Sequence, residues 1–243
     1  MLKEFIAHIQ ETTRPQIVKI DGSNFAIAPG GAAIEIRPTI DHPDTLPLHS
    51  LDALVKLVRT EASKAENPLY ITIPDHLTAR CFGQPHPDAR FFRQVYYEAK
   101  ATDVPGWGEQ TELGFEEAQI ALRTRFQETP DTMYAMKLLS DICCGAQVVY
   151  NDTGIATTVT TKKGVALQSN EQVRPIITLK PYRTFQEVEQ PESIFLIRVN
   201  ERRISFTEAD GGMWKLKARQ TVKTFLEEKL ADLVAAGAVY IAL

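Results

Sequence analysis

An aspartate, a glutamate and a lysine in the first half of the chain have the types and spacing of a magnesium-dependent nuclease site. Pro74-Asp75 is followed, on the second predicted strand after it, by Glu98-Ala99-Lys100. Carboxylates on neighbouring strands can hold Mg²⁺, and a nearby lysine can orient or activate the attacking water. The pattern therefore suggests Asp75, Glu98 and Lys100 as catalytic residues. The alternative is a turn aspartate beside a solvated strand face.

A second set of residues, basic and aromatic, lies in the last third of the chain. Residues 162–223 contain 12 Lys or Arg against 7 Asp or Glu, although the whole chain carries a net charge of −4. Guanidinium groups beside aromatic rings are suited to phosphate contact and base stacking. The predicted binding residues are Lys180, Tyr182, Arg183, Arg198, Arg202, Arg203 and Trp214. The alternative is a strand face balanced by neighbouring glutamates, with the aromatic rings buried.

Other reactive residue types do not form a recognisable pattern. The five histidines show no H-x-x-x-H spacing, and Cys81, Cys143 and Cys144 show no C-x-x-C spacing. The cysteines are expected to be reduced, largely buried thiols. Neither a G-x-S-x-G elbow nor a phosphate-binding P-loop occurs, so we expect no resident metal or cofactor.

Three strings in the second half of the chain carry a family resemblance. LKPYRTFQEVEQPES, FLIRV and FTEADGGMWKLKA resemble the YfdQ-like family of uncharacterised phage and prophage proteins. The similarity extends from the predicted helix at Gly114 through NDTGIATTVTTKKG to the last predicted helix, and it is weaker over the first third. The resemblance implies a temperate-phage product that acts in a bacterial cytoplasm. It assigns no catalytic residue, because the family has no established activity.

Residues 179–216 are the stretch around which the other elements are organised. They predict an extended segment between Pro181 and Pro191, two strands joined by a tight turn, and a break at Gly211-Gly212 before a helix at 215–235. Gly237 is expected to end that helix. The uncharged residues that follow predict a final strand, which should complete a sheet in this chain or in a second subunit.

Hydrophobic periodicity and turn residues predict the elements before this stretch. A helix at 2–11 precedes a β-meander at 16–20, 24–28 and 33–37, and an irregular linker at 38–49 leads to a helix capped by Ser50. The next predictions are strands at 69–74, 76–82 and 90–100, a loop at 103–109, a helix at 114–126 whose capping pattern begins at Thr111, a helix at 131–143, and strands at 147–150, 155–161, 165–168 and 175–179.

The composition is that of an ordinary globular protein. Of 243 residues, 44% are hydrophobic and 24% are charged. Since there is neither an uninterrupted apolar leader nor a run of about 18 apolar residues, we expect a cytoplasmic protein without a membrane partner. The predicted fold class is α+β, mainly antiparallel, with an N-terminal β-meander, two central helices and a long C-terminal helix followed by a final strand. The predicted regions are 1–45, 46–145 and 146–243, of which the last two can form one domain.

Together these observations favour a phage-encoded binding or assembly protein without catalytic activity. We expect a homo-oligomer, because segments near both ends of the sequence carry apolar faces that need a partner. The basic last third adds nucleic acid or a nucleotide as a ligand class. Two alternatives stay open: a nuclease that uses Mg²⁺ at Asp75, Glu98 and Lys100, and a protein that sequesters and inhibits a host defence system.

Overall fold

In the computed structural model the chain is an α+β protein, as predicted. The structure describes residues 3–4, 16–20, 23–28, 31–36, 44–86, 92–144, 147–152, 157–163, 166–200 and 203–243. It has two compact units, Met1–Asp44 with Gln84–Gln94 and Thr45–Gly83 with Val95–Leu243. Residue 145, the second predicted boundary, lies inside the second unit. Among the described residues, no helix combines the length and apolar character needed to span a membrane.

The first unit contains the predicted β-meander. Strands β1 (Gln16–Ile20), β2 (Ser23–Ile27) and β3 (Ala33–Ile36) pair antiparallel in that order. The turn between β2 and β3 uses Gly31 at a φ of 80°, a conformation that glycine adopts without steric cost. Of the predicted helix at 2–11, residues 3–4 are helical, and the others lie outside the described part of the chain.

A five-stranded sheet is built from strands that are distant in sequence. From one edge to the other, its strands are β15 (Val239–Ala242), β5 (Leu69–Asp75), β6 (Thr78–His86), β7 (Phe92–Lys100) and β4 (Leu46–Leu48). The helices α1 (Leu51–Ala62) and α4 (Met213–Lys229) contribute buried apolar residues to the core at this sheet. Ser50 caps α1 as predicted, because its Oγ accepts from the backbone N of Ala53.

Each of the two edge strands of this sheet runs parallel to the strand beside it. β15 lies beside β5, so the predicted final strand completes a sheet within its own chain. β4 lies beside residues 97–99 of β7, and the prediction of an irregular linker up to residue 49 was therefore wrong for Leu46–Leu48. Proline has no N–H to donate to a neighbouring strand, and Pro47 is tolerated here because β4 lies at the edge of the sheet.

A four-stranded antiparallel sheet lies beside the two central helices. Its order is β12 (Ile176–Leu179), β13 (Ser193–Val199), β14 (Arg203–Glu208) and β8 (Gln110–Gly114). The helices α2 (Phe115–Arg125) and α3 (Pro130–Cys144) share a buried cluster with its inward side chains, among them Leu139, Phe195 and Phe206. One face of this sheet is thus covered by helices.

The start of α2 differs from the predicted capping pattern. Residues 110–114 form β8 rather than a helix cap at Thr111, because they pair with β14. Gly114 is the N-cap, and the Glu117 carboxylate accepts from its backbone N at 3.1 Å. The capping glutamate thus lies three residues after the cap, in the usual spacing of a capping box.

The remaining strands and the last helix agree broadly with the sequence. A separate antiparallel sheet contains β9 (Gln147–Asp152), β10 (Thr157–Lys163) and β11 (Ala166–Gln172). The predicted helix at 215–235 is divided at Leu230 into α4 and the short α5 (Ala231–Ala235). Gly237 has a φ of 70°, and hydrogen bonds from Gly237 and Ala238 back to Val234 and Leu233 form a Schellman-type end before β15.

Candidate functional site

The segment between Leu179 and Ser193 is folded around the side chain of Gln190, which is 2% exposed. Its Oε1 accepts from the backbone N of Arg183 at 2.8 Å and of Thr184 at 3.2 Å. Its Nε2 donates to the carbonyls of Phe185 at 2.9 Å and Val188 at 3.3 Å. One buried amide therefore satisfies four backbone groups in a segment that has no regular secondary structure.

The guanidinium of Arg183, near the start of this segment, is buried. It forms an ion pair with Glu208, and the two side chains are 3% and 5% exposed. Its Nη1 also donates to Ser193 Oγ at 3.0 Å. The guanidinium carbon lies 4.3 Å from the centre of the Trp214 ring and 5.6 Å from that of Phe195. Charge and stacking together fix the position of this cation.

Trp214 closes the same cluster from the first turn of α4. Asp210 Oδ1 accepts from the backbone N of Gly212 at 3.0 Å, and Gly212 begins the helix at a φ of 77°. Trp214 Nε1 then donates to Glu208 Oε2 at 3.1 Å. The ring of His76, from the turn between β5 and β6, meets the Trp214 ring edge-on at 4.8 Å. The Asp-Gly-Gly break thus places the tryptophan over the ion pair.

We call Arg183, Gln190, Glu208 and Trp214 the arginine junction. It lies where two hydrophobic clusters meet. Phe185, two residues after Arg183, belongs to the cluster of the five-stranded sheet, whereas Phe195 under the guanidinium belongs to that of the four-stranded sheet. The segment that carries Arg183 therefore contributes to one core while its guanidinium contacts the other.

His76 makes the stability of the junction depend on pH. Burial lowers its pKa from the ordinary value of 6.5, Asp75 opposes this change, and Lys215 and Arg183 reinforce it. The folded state then binds fewer protons than the unfolded chain, so the free energy of unfolding should fall as the pH drops below about 6.5, until the folded pKa is passed. Urea denaturation at about pH 7.5 and about pH 5.5 measures this loss. The wild type should lose more stability than His76→Gln, and equal losses would contradict the prediction.

The predicted binding residues do not share one surface. Arg183 and Trp214 are only 4% and 7% exposed. Lys180 forms ion pairs with Glu189 at 2.7 Å and Glu192 at 3.2 Å, and these carboxylates raise its pKa. The positive charge counted in the sequence is therefore partly neutralised inside the fold.

The other predicted binding residues have more open positions. The side chain of Tyr182 is half-buried, and its backbone N donates to Arg125 O at 2.9 Å. Arg198 and Arg203 are exposed on β13 and β14, in the same sheet. Arg202 lies outside the described residues. Among the arginines of the predicted set that the structure describes, Arg198 and Arg203 are therefore within reach of a ligand.

The three residues of the predicted nuclease site do not form a metal site in the structure. Asp75 Oδ1 accepts from the backbone N of Leu77 at 2.7 Å in the turn after β5. Glu98 forms an ion pair with Arg80, and Lys100 is exposed at the end of β7. β6 lies between the strands of the two carboxylates, which separates them by about two strand spacings of 4.8 Å. Within the described part of the chain, no group of three or more His, Cys, Asp or Glu side chains could hold a metal ion.

The cysteine prediction is met at the position that the structure describes. Cys81 is a free, fully buried thiol. Burial and the nearby Glu61 raise its pKa to about 12. Cys81 is therefore protonated and unreactive at neutral pH. The side chains of Cys143 and Cys144 lie outside the described residues.

A pocket of about 310 Å³ lies at the N-terminus of α1, beside His49, Thr102 and Glu187. Two backbone N–H groups of the first helical turn have side-chain acceptors, because Glu187 Oε1 accepts from the N of Leu51 at 2.8 Å and Ser50 Oγ from the N of Ala53. Thr102 Oγ1 and His49 Nδ1 lie 3.3 Å apart. Glu187, Ser50, Thr102 and His49 thus already have partners at this pocket.

Sequence reasoning missed Gln190, Glu208 and His76. The alternation of buried residues in β14 contains a signal for Glu208. Ile204 and Phe206 are both fully buried, and Glu208 follows at the same spacing of two residues. A carboxylate on the buried face of a strand requires a buried cation, and Arg183 supplies it. Gln190 and His76 act through contacts between distant segments, for which the sequence contains no periodic signal.

Two strand surfaces expose large apolar side chains instead of burying them. In the meander, Ile17 pairs with Ala26 and Ala26 with Ile34 across the three strands, and the two isoleucines are 70% and 67% exposed. On the four-stranded sheet, the face opposite the helices exposes Ile194 and Leu196. We call the row Ile17, Ala26 and Ile34 the meander row.

Comparison with known proteins gives no relative from which a function could be transferred. The chain matches no protein-family model, and no curated protein or solved structure is significantly similar to it. The resemblance to the YfdQ-like family therefore rests on the three sequence strings alone.

Proposed function

We propose that the protein is a phage- or prophage-encoded binding or assembly protein that works in the bacterial cytoplasm as a homo-oligomer, without catalysis. The family resemblance supports the phage context. The arginine junction supports a structural role for its polar side chains, because Arg183 pairs with Glu208 and the Gln190 amide bonds to four backbone groups. The exposed strand surfaces supply the contacts that an assembly needs.

The observation that carries this proposal is the meander row. Ile17 and Ile34 are the most exposed of the large apolar side chains that the structure describes, and both flank Ala26 on one sheet face. A three-stranded sheet is stable in water when one apolar face is packed. Full burial of each isoleucine contributes about 1.5–3 kcal/mol. A second copy that presents the same row about a twofold axis would cover both residues at once.

Light scattering over a wide range of protein concentration tests the proposal. We expect the wild type to show a mass greater than that of one chain, and Ile17→Lys/Ile34→Lys to shift the distribution toward the single chain, because two buried lysines would oppose the contact. Ile120→Lys is the matched control, since Ile120 is 64% exposed on α2 and outside the meander. A strictly monomeric wild type at every concentration would contradict the proposal.

A second candidate function is nucleic-acid contact through Arg198 and Arg203, favoured by their exposure on one sheet. Phosphate contacts are strongly weakened by salt. Retention of the wild type on single-stranded DNA at low salt, lost in Arg198→Glu/Arg203→Glu, would support this function. Equal retention of both proteins would argue against it.

A further inference from the structure

The strand β13 has the composition of a strand that is covered on both faces. Residues 194–197 form an unbroken apolar run, Ile-Phe-Leu-Ile, rather than an alternation of apolar and polar residues. Such runs are typical of strands packed on both sides. In the structure, Phe195 and Ile197 point into the helix-covered core, whereas Ile194 and Leu196 on the other face are 45% and 40% exposed.

The register of the sheet groups these side chains into one apolar area. Ile176 on β12 is 58% exposed and pairs directly with Leu196, and Thr178 pairs with Ile194. Leu196 pairs on its other side with Thr207 of β14. Side chains opposite one another on adjacent strands lie about 5 Å apart. We call Ile176, Ile194 and Leu196, with Arg198 and Arg203, the open face.

The charge of the open face is concentrated at one end. Arg198 follows Leu196 by two residues on β13 and pairs with Ser205, and Arg203 precedes Ser205 by two residues on β14. Both arginines are exposed. Glu112, which pairs with Ser205 from the other side, accepts from Asn200 Nδ2 at 3.4 Å. A ligand that covers the apolar area therefore meets two cations and the single carboxylate of Glu112 at this end, where positive charge is in excess.

The width of the open face matches that of one α-helix. Four strands at about 4.8 Å spacing give a surface about 15 Å wide. An α-helix with its side chains is about 10–12 Å across and fits this width.

From these features we propose that the open face binds an amphipathic helix of a partner protein. Its apolar stripe covers Ile176, Ile194 and Leu196, and acidic side chains at one end of the helix pair with Arg198 and Arg203. The bound helix gives the four-stranded sheet a second covered face. This interaction does not depend on self-association through the meander row, which lies on different strands.

Two synthetic helical peptides of about 15 residues test this proposal, one with a leucine stripe and glutamates, the other with the same stripe and lysines. Fluorescence anisotropy with the full chain should show that the acidic peptide binds about tenfold more tightly than the basic one, since two exposed ion pairs replace two repulsions. The amide signals of residues 176, 194 and 196 should shift in ¹⁵N-correlated NMR spectra when the acidic peptide binds.

Three variants test whether the peptide binds to the open face. Leu196→Lys and, independently, Ile176→Lys should weaken the acidic peptide at least about tenfold, and Arg198→Glu/Arg203→Glu should reverse the preference between the peptides. Ile17→Lys/Ile34→Lys is the control and should bind as the wild type does. Equal affinity for both peptides, shifts confined to residues outside β12, β13 and β14, displacement by single-stranded DNA, or dimerisation that is lost in Leu196→Lys would each overturn the proposal.

Discussion

Replacement of Arg183 with alanine is expected to lower the free energy of unfolding by about 3–5 kcal/mol. The reason is that the Glu208 carboxylate, whose side chain is 5% exposed, would lose the cation that compensates it. The ring of Trp214 would also lose the guanidinium that lies 4.3 Å from its centre. Urea denaturation followed by circular dichroism measures the change.

A double-mutant cycle separates the ion pair from the loss of packing. Arg183→Ala/Glu208→Ala should cost clearly less than the sum of the two single substitutions, because removal of both charges leaves no uncompensated group. Arg198→Ala is the matched control, with an expected change within about 0.5 kcal/mol for an exposed residue. If Arg183→Ala destabilises no more than this control, the arginine junction does not hold the two cores together.

Substitution of Gln190 with alanine should have the second largest effect, a loss of about 3 kcal/mol. The backbone N atoms of Arg183 and Thr184 would lose their acceptor, and the carbonyls of Phe185 and Val188 their donor. Each buried polar group left without a partner costs about 1–3 kcal/mol, and local relaxation that admits water reduces the total. Thermal or urea unfolding gives the value.

Two further variants identify the cause of this loss. Gln190→Glu keeps the acceptor but directs a carboxylate at two carbonyls, so it should also destabilise, and less at low pH, where a protonated acid can donate. Gln186→Ala, at an exposed position of the same segment, should change stability within about 0.5 kcal/mol. Equal stability of Gln190→Ala and Gln186→Ala would show that the segment does not depend on the buried amide.

Local patterns in the sequence were sufficient to predict much of the fold. The apolar run in SIFLIRV, the alternation in RISFTE, the Asp-Gly-Gly break and the periodic apolar residues of α4 specify β13, β14 and the helix start, because these signals act within a few residues. β8 and β4 were missed because their residues become strands through pairing with β14 and β7, which lie far away in sequence. Tertiary context overrides weak local preference in such short segments.

The candidate site was predicted less well, for a similar physical reason. A count of basic residues cannot distinguish an exposed arginine such as Arg198 from Arg183, whose partner Glu208 lies 25 positions later in the chain. The strings that carry the family resemblance contain Arg183, Gln190, Glu208 and Trp214. On our account, that resemblance concerns residues that hold the fold together.

Hydrogen–deuterium exchange at two protein concentrations is the most direct test of assembly through the meander row. Amides in residues 16–20 and 31–36 should exchange more slowly at the high concentration, because a second copy would cover β1 and β3. In Ile17→Lys/Ile34→Lys the exchange of these amides should no longer depend on concentration. If the wild-type amides of β1 and β3 exchange at the same rate at both concentrations while the protein is oligomeric, copies associate elsewhere. If the protein is also monomeric, the proposed assembly function is wrong.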